Sequence, residues 1–291
     1  MKTFNNKYLF TFILFAFVCI LFTTSCSNSN DDSSAPANEL SELTKIQEIS
    51  DDSYTFLFYT KSGSLTIGYN EIYLQVKNKS TGELEKNASL SWQPIMQMPT
   101  MSHSCPYSTI EKASGSQTLY KGFIIFQMAS SDTNIWHLTV NYNIGSNETG
   151  LVELNPNVLD TEQKKLQSFS GSDGTKYVLA LAEPSSPKVG SNDMTAYLYK
   201  MQDMNTFIPV ENYTIKIDPR MPAMGHGSSG NVDLTSLGSG LYSGKIGLTM
   251  KGYWQINLIA LNSNGEVIKG EGVTADHPAS SLFFELIIPN N

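Results

Sequence analysis

One hexapeptide occurs twice in the chain. Met98-Pro99-Thr100-Met101-Ser102-His103 recurs 123 residues on as Met221-Pro222-Ala223-Met224-Gly225-His226. The flanks repeat in the same order. Tyr120-Lys121-Gly122, Met128 and Trp136-His137-Leu138-Thr139-Val140 follow the first copy; Tyr242-Ser243-Gly244, Met250 and Trp254-Gln255-Ile256-Asn257-Leu258 follow the second. Each copy opens on a strand-like run, Tyr54 to Tyr59 or Tyr177 to Ala182, and closes on another that ends in Pro, Leu151 to Pro156 or Leu282 to Pro289. Self-similarity at a fixed period marks a duplicated module, so the chain must fold as two versions of one unit.

The unit reads as β. Glu71-Ile72-Tyr73-Leu74-Gln75-Val76-Lys77 alternates apolar and polar residues, as do the two Trp-led runs, which is the period of a half-buried strand. Turn signals such as Ser80-Thr81-Gly82, Ser172-Asp173-Gly174 and Ser263-Asn264-Gly265 separate the runs, and no long helical period appears. Short strands at this spacing predict an all-β chain of two tandem antiparallel β-sandwich domains, residues 46–156 and 169–291, joined by a linker over 157–168. Thr161 to Phe169 is compatible with either a short helix or coil.

The first residues carry an address. Lys2 and Lys7 precede an apolar run from Tyr8 to Phe22, too short for a bilayer span and suited to a signal peptide over 1–25. Thr23-Thr24-Ser25-Cys26 places small residues before a Cys, as in a bacterial lipobox, so Cys26 is the expected lipidation site; a plain secretory signal with an incidental Cys is the alternative. Residues 26–45 then form a polar tether poor in apolar side chains, expected to be flexible. Its Asp31-Asp32 pair resembles the export signal of surface lipoproteins in the Bacteroidetes group, and an ordinary solvated linker is the other reading. The expected location is the cell envelope, lipid-anchored at the outer membrane or the periplasmic side, with surface exposure open. The membrane partner is reached through that lipid.

Charge excludes two partner classes. The chain carries 19 basic and 27 acidic residues, a net −8 that becomes −10 once Lys2 and Lys7 leave with the signal peptide. A chain this acidic lacks the basic stripe that nucleic acid requires, and it does not dock electrostatically on anionic lipid. With Cys19 and Cys26 in the leader region, only Cys105 remains for the folded part, so no internal disulfide is available there.

The duplicated hexapeptide has the chemistry of a soft metal site. Pro disfavours the α region for the residue before it, so the segment is expected to be extended and polyproline-like. Three residues per turn then bring Met98 beside Met101 and Met221 beside Met224, with His103 and His226 close behind. Thioethers and imidazole favour copper; the oxygen clusters that magnesium or calcium needs, and the four Cys or His of structural zinc, are missing. Met96 and Cys105 add sulfur to the first copy, and a thiolate at Cys105 would raise affinity for Cu(I). The candidate ligands are therefore Met98, Met101, His103 and Cys105 in one copy and Met221, Met224 and His226 in the other. The competing reading makes Met a core filler and His a turn residue. Trp136, Trp254, Met128 and Met250 read as core, His137 as outward-facing, and Met201 and Met204 as loop or edge residues.

These motifs, with Tyr-x-Gly, Met and Trp in order behind each Met-Pro-x-Met-x-His, resemble the YtkA-like family, which is similar to FixH-type proteins of cytochrome oxidase assembly. The resemblance covers most of the mature chain. It implies an immunoglobulin-like β-sandwich outside the cytoplasm and a link to copper handling. The expectation is a lipid-anchored copper carrier, buffer or assembly factor with copper as cofactor and a copper-receiving or other envelope protein as partner. The alternative is a metal-free adhesion or interaction scaffold. No catalytic triad order, paired carboxylates, phosphate-cradling loop or dinucleotide fingerprint stands out, so the chain is not expected to be an enzyme.

Overall fold

The computed structural model describes residues 39–145 and 148–289; the signal peptide, Cys26 and the polar run to residue 38 lie outside them. The first half contains β1 (Thr44–Ser50), β2 (Tyr54–Thr60), β3 (Leu65–Thr66), β4 (Gly68–Asn78), β5 (Ala88–Gln97), β6 (Ser102–His103), β7 (Glu111–Lys112), β8 (Tyr120–Phe126), β9 (Ile135–Ile144), β10 (Glu148–Leu154) and β11 (Val158–Leu159). All but β3 and β11, which pair with each other, form two facing antiparallel sheets, β1-β2-β4-β8-β7 and β10-β9-β5-β6. The alternating pattern sets which side chains turn inward. Phe56, Phe58, Ile72, Leu74 and Val76 from one sheet meet Trp92, Trp136, Leu138 and Val140 from the other in one buried cluster.

The second half repeats the order with β12 (Leu166–Ser170), β13 (Lys176–Glu183), β14 (Gly190–Met201), β15 (Phe207–Pro209), β16 (Thr214–Met221), a single 3₁₀ turn (Pro222–Met224), β17 (His226–Gly227), β18 (Val232–Gly238), β19 (Leu241–Leu248), β20 (Gly252–Leu261), β21 (Val267–Lys269) and β22 (Phe283–Ile288). One difference changes its shape. β7 is two residues long and pairs only with β8, whereas its counterpart β18 pairs with both β19 and β16. That strand fuses the two layers into one eleven-stranded sheet. The sheet is nearly closed on itself, because Glu285 N–H donates to Lys164 O (2.9 Å) and Gln167 Nε2 donates to Phe283 O (2.7 Å), lacing β22 to the chain around β12.

The stretch from 157 to 168 is built into both halves. Val158 and Leu159 pair in parallel with Leu65 and Thr66, and from Leu166 the chain runs as an edge strand on β13. The segment around Thr161 to Phe169 forms no helix, since the backbone groups from Leu166 onward find partners in β13.

The repeated Tyr-x-Gly has a structural cause. Tyr120 and Tyr242 are buried, and their hydroxyls tie into the chain leading to the strands opposite: Ala88 N–H donates to Tyr120 Oη (2.8 Å), and Tyr242 Oη donates to Val210 O (3.0 Å). Two residues on, a crossing chain leaves no room for a side chain. A Cβ on Gly122 would lie 2.8 Å from Thr109 O, and one on Gly244 would lie 2.4 Å from Val232 O.

Where the halves meet, Ile125, Val178, Ala180 and Tyr199 are buried together, with Tyr69, Phe123, Tyr197 and Phe207 packed around them. Tyr69 stacks on Tyr197 at 5.3 Å and 6°, and Phe123 lies 4.4 Å from the same ring.

Candidate metal centre

Each hexapeptide forms the tip of a short hairpin at one end of its half. In the first, β5 turns into β6 so that Gln97 pairs with Ser102 and Met96 with His103. Met98 N–H donates to Met101 O (2.9 Å), which closes the turn. In the second, β16 turns into β17, with Met221 paired to His226. Here the turn is the 3₁₀ segment Pro222–Met224, ended by Gly225 in the left-handed region at φ 58°. A 3₁₀ turn has three residues per turn, like the expected polyproline helix, but it is compact rather than extended.

Beneath each tip stands the repeated Trp. Trp136 and Trp254 are fully buried, and their indole N–H groups donate to the carbonyls of Met128 (2.9 Å) and Met250 (3.0 Å). Each of those Met residues, eight positions before its Trp in the first half and four in the second, thus supplies a backbone carbonyl to the indole. The imidazoles of His103 and His226 meet the indoles at 5.7 Å and 85°, and at 6.2 Å and 62°.

The sulfur atoms do not follow the linear repeat. Counting back from the His, the residue paired with it is Met96 in the first hairpin and Met221 in the second, seven and five positions away. Met96 and Met221 therefore occupy equivalent places, and both are buried in their cores. Met221 is 7% exposed while Met224 is 61% exposed, so that pair is divided between core and solvent. Met221 ends an inward-facing strand position, and the turn then stands clear of the sandwich. In the first tip Met98 is half-buried against the core and Met101 is 44% exposed.

Cys105 is sealed in the first core, and burial pushes its thiol well above the usual range. It holds its proton and contributes no thiolate to the tip, contrary to the expectation from sequence. Met221 is likewise a packing residue rather than an open donor.

The two imidazoles differ in what they leave available. His103 Nδ1–H donates to the carbonyl of Ser104 (2.7 Å). A carbonyl only accepts, so Nδ1 carries a proton, and in the neutral ring the lone pair is on Nε2. This is the arrangement by which a second-shell carbonyl fixes the tautomer of a metal-binding His. His226 instead engages the Thr249 hydroxyl through Nε2 (3.0 Å). Among the described residues no group of three or more His, Cys, Asp or Glu side chains stands together. A metal at either tip would thus depend on thioethers as well as imidazole. His137 faces solvent, as the alternation around Trp136 predicts.

No curated protein matches the chain. Among solved structures, the Escherichia coli adhesin FdeC is similar at 14% identity, over 74% of this chain and 70% of that one, with a TM-score of 0.23. A conserved domain protein from Bacillus anthracis is similar at 8% identity, over 88% of this chain and 94% of that one, with a TM-score of 0.33. A family model does match, and it spans the hairpin of the second half together with β18, β19 and the Trp strand. Residues 171–258 are a match to the YtkA-like family.

Proposed function

We propose that the chain is a lipid-anchored cell-envelope protein that binds copper reversibly at its first hairpin tip and delivers it to an envelope partner, as carrier, buffer or assembly factor. One observation carries this: the Nδ1–H bond of His103 to Ser104 O leaves Nε2 as the ring's ligand atom at a tip that also bears Met98 and the exposed Met101. Two thioethers and an imidazole suit Cu(I), and an open set of neutral ligands permits release to a receiver. The link to copper handling implied by the YtkA-like resemblance supports the same chemistry. The second tip offers one exposed thioether, Met224, because Met221 is packed in the core, and is expected to be the weaker of the two. The copper is cargo, and no chemical step on a substrate is assigned to the chain.

The test is titration of the mature chain with Cu(I) in competition with a chromophoric chelator. Wild type is expected to show one tight site and one weaker one. His103→Ala is expected to abolish the tight site while His226→Ala preserves it. Absence of any Cu(I) uptake would defeat the proposal and leave the metal-free interaction scaffold as the standing account.

A further inference from the structure

The backbone after His103 is bound to the other half of the molecule. Ser104, whose carbonyl receives the His103 Nδ1–H, donates its own N–H to the carbonyl of Met204 at 2.8 Å. Met204 lies in the turn between β14 and β15. That turn is closed by Gln202 N–H to Thr206 O (2.9 Å) and by Asn205 N–H to the Asp203 carboxylate (2.8 Å). Three residues on, Phe207 packs into the buried junction, which fixes the turn against the first half. Met204 is half-buried, yet none of the four buried clusters of the described residues includes it. The second tip is built differently: Ser228, just past His226 and Gly227, returns its N–H to Pro219 O of its own hairpin (3.3 Å).

From this juxtaposition we infer that Met204 is a copper ligand of the first tip, supplied by the second half, so that Met98, Met101, His103 and Met204 form one three-sulfur, one-nitrogen set. The inference rests on the copper reading of that tip and names a ligand that the hexapeptide does not contain. It gives the duplication a purpose: one copy completes the site of the other. It also predicts that the first tip binds copper more tightly than the second.

The experiment uses the mature chain carrying Met224→Leu and His226→Ala, so that only the first tip can bind, with Cu(I) and a competing chelator. Met204→Leu keeps side-chain volume and removes the sulfur. Loss of even an outer-shell partner weakens metal sites about 10–100-fold, so Met204→Leu is expected to weaken binding at least about tenfold. A second readout is independent of affinity: with methyl-labelled methionine, the Met98, Met101 and Met204 resonances should all shift on adding Cu(I). Full affinity in Met204→Leu, or an unmoved Met204 methyl while His103→Ala abolishes binding, would overturn the inference and leave the copper reading intact. No binding in the parent chain would remove both.

Discussion

At the residue scale, the ends of the sandwich away from the tips are held by carboxylates in turns. Asp51, in the β1–β2 turn, accepts the N–H groups of Ser53 and Tyr54 on Oδ1 (2.8 Å each) and the Tyr142 hydroxyl on Oδ2 (2.6 Å). Tyr142 comes from β9, so this bond joins the two sheets. Burial alone would raise the Asp51 carboxyl, but the bonds from Tyr142, Tyr54 and Ser53 outweigh it and hold the group below the usual range. Burial and the same carboxylate push Tyr142 up to about 12. Asp173 accepts similarly in the β12–β13 turn, from Thr175 N–H and from the hydroxyl of Tyr177, which here belongs to β13 itself. A carboxyl whose pKa is depressed on folding stabilises the fold above its unfolded pKa of about 3.9, and that contribution is lost as pH falls through the folded value. Tyr142→Phe should therefore cost about 1 kcal/mol at pH 7, below the full worth of a buried charge-assisted bond because the turn reaches solvent. Urea melts at pH 7 and near pH 3 are the check. The gap between wild type and variant should narrow at the lower pH, and a constant gap would show that the carboxylate charge plays no part.

At the element scale, the alternation of apolar residues and the repeated Trp located the strands and their inward faces correctly, because burial on one side of a sheet writes itself directly into the sequence. Hairpin register was not legible. Met98 and Met221 align in the linear repeat, yet pairing places Met96 opposite His103 and Met221 opposite His226. A shift of two residues conserves which side of the strand a side chain faces, so the hydrophobic pattern does not distinguish the alternatives. Cys105 was illegible for a related reason: residues 104–106 are buried by β8 and by the β14–β15 turn, contacts that local spacing does not contain. The Tyr-x-Gly repeat, by contrast, has a cause that substitution can test. A Cβ on Gly244 would lie 2.4 Å from Val232 O, a backbone atom that moves only if β18 and β19 part. Gly244→Ala should destabilise the second half by about 1–3 kcal/mol in denaturant titration, the usual cost of overpacking. Gly272→Ala, with nothing within 4 Å of the new carbon, should stay within about 0.5 kcal/mol of wild type. Equal effects at the two positions would refute the crowding explanation.

At the scale of the whole molecule, duplication announced two modules, but nothing in either copy announced how they join. The junction side chains Tyr69, Phe123, Ile125, Val178 and Tyr197 sit on strand faces that an isolated sandwich would turn toward water, and Tyr69 lies against Tyr197. A linker of independent domains would leave each half to unfold alone. Here the chain between the halves pairs with both, and the aromatic cluster is continuous across them, so the halves should unfold in one calorimetric transition. Ile125 is fully buried at the centre of that cluster. Ile125→Ala, made together with Tyr197→Ala, removes packing from both sides of the junction. The Ile125 change alone should cost about 2–5 kcal/mol. The paired variant should separate the single transition into two, because each sandwich keeps its own core. Two transitions already present in wild type would mean that the junction is only a contact. A single transition persisting in the variant would mean that the backbone pairing of residues 158–170 suffices to couple the halves.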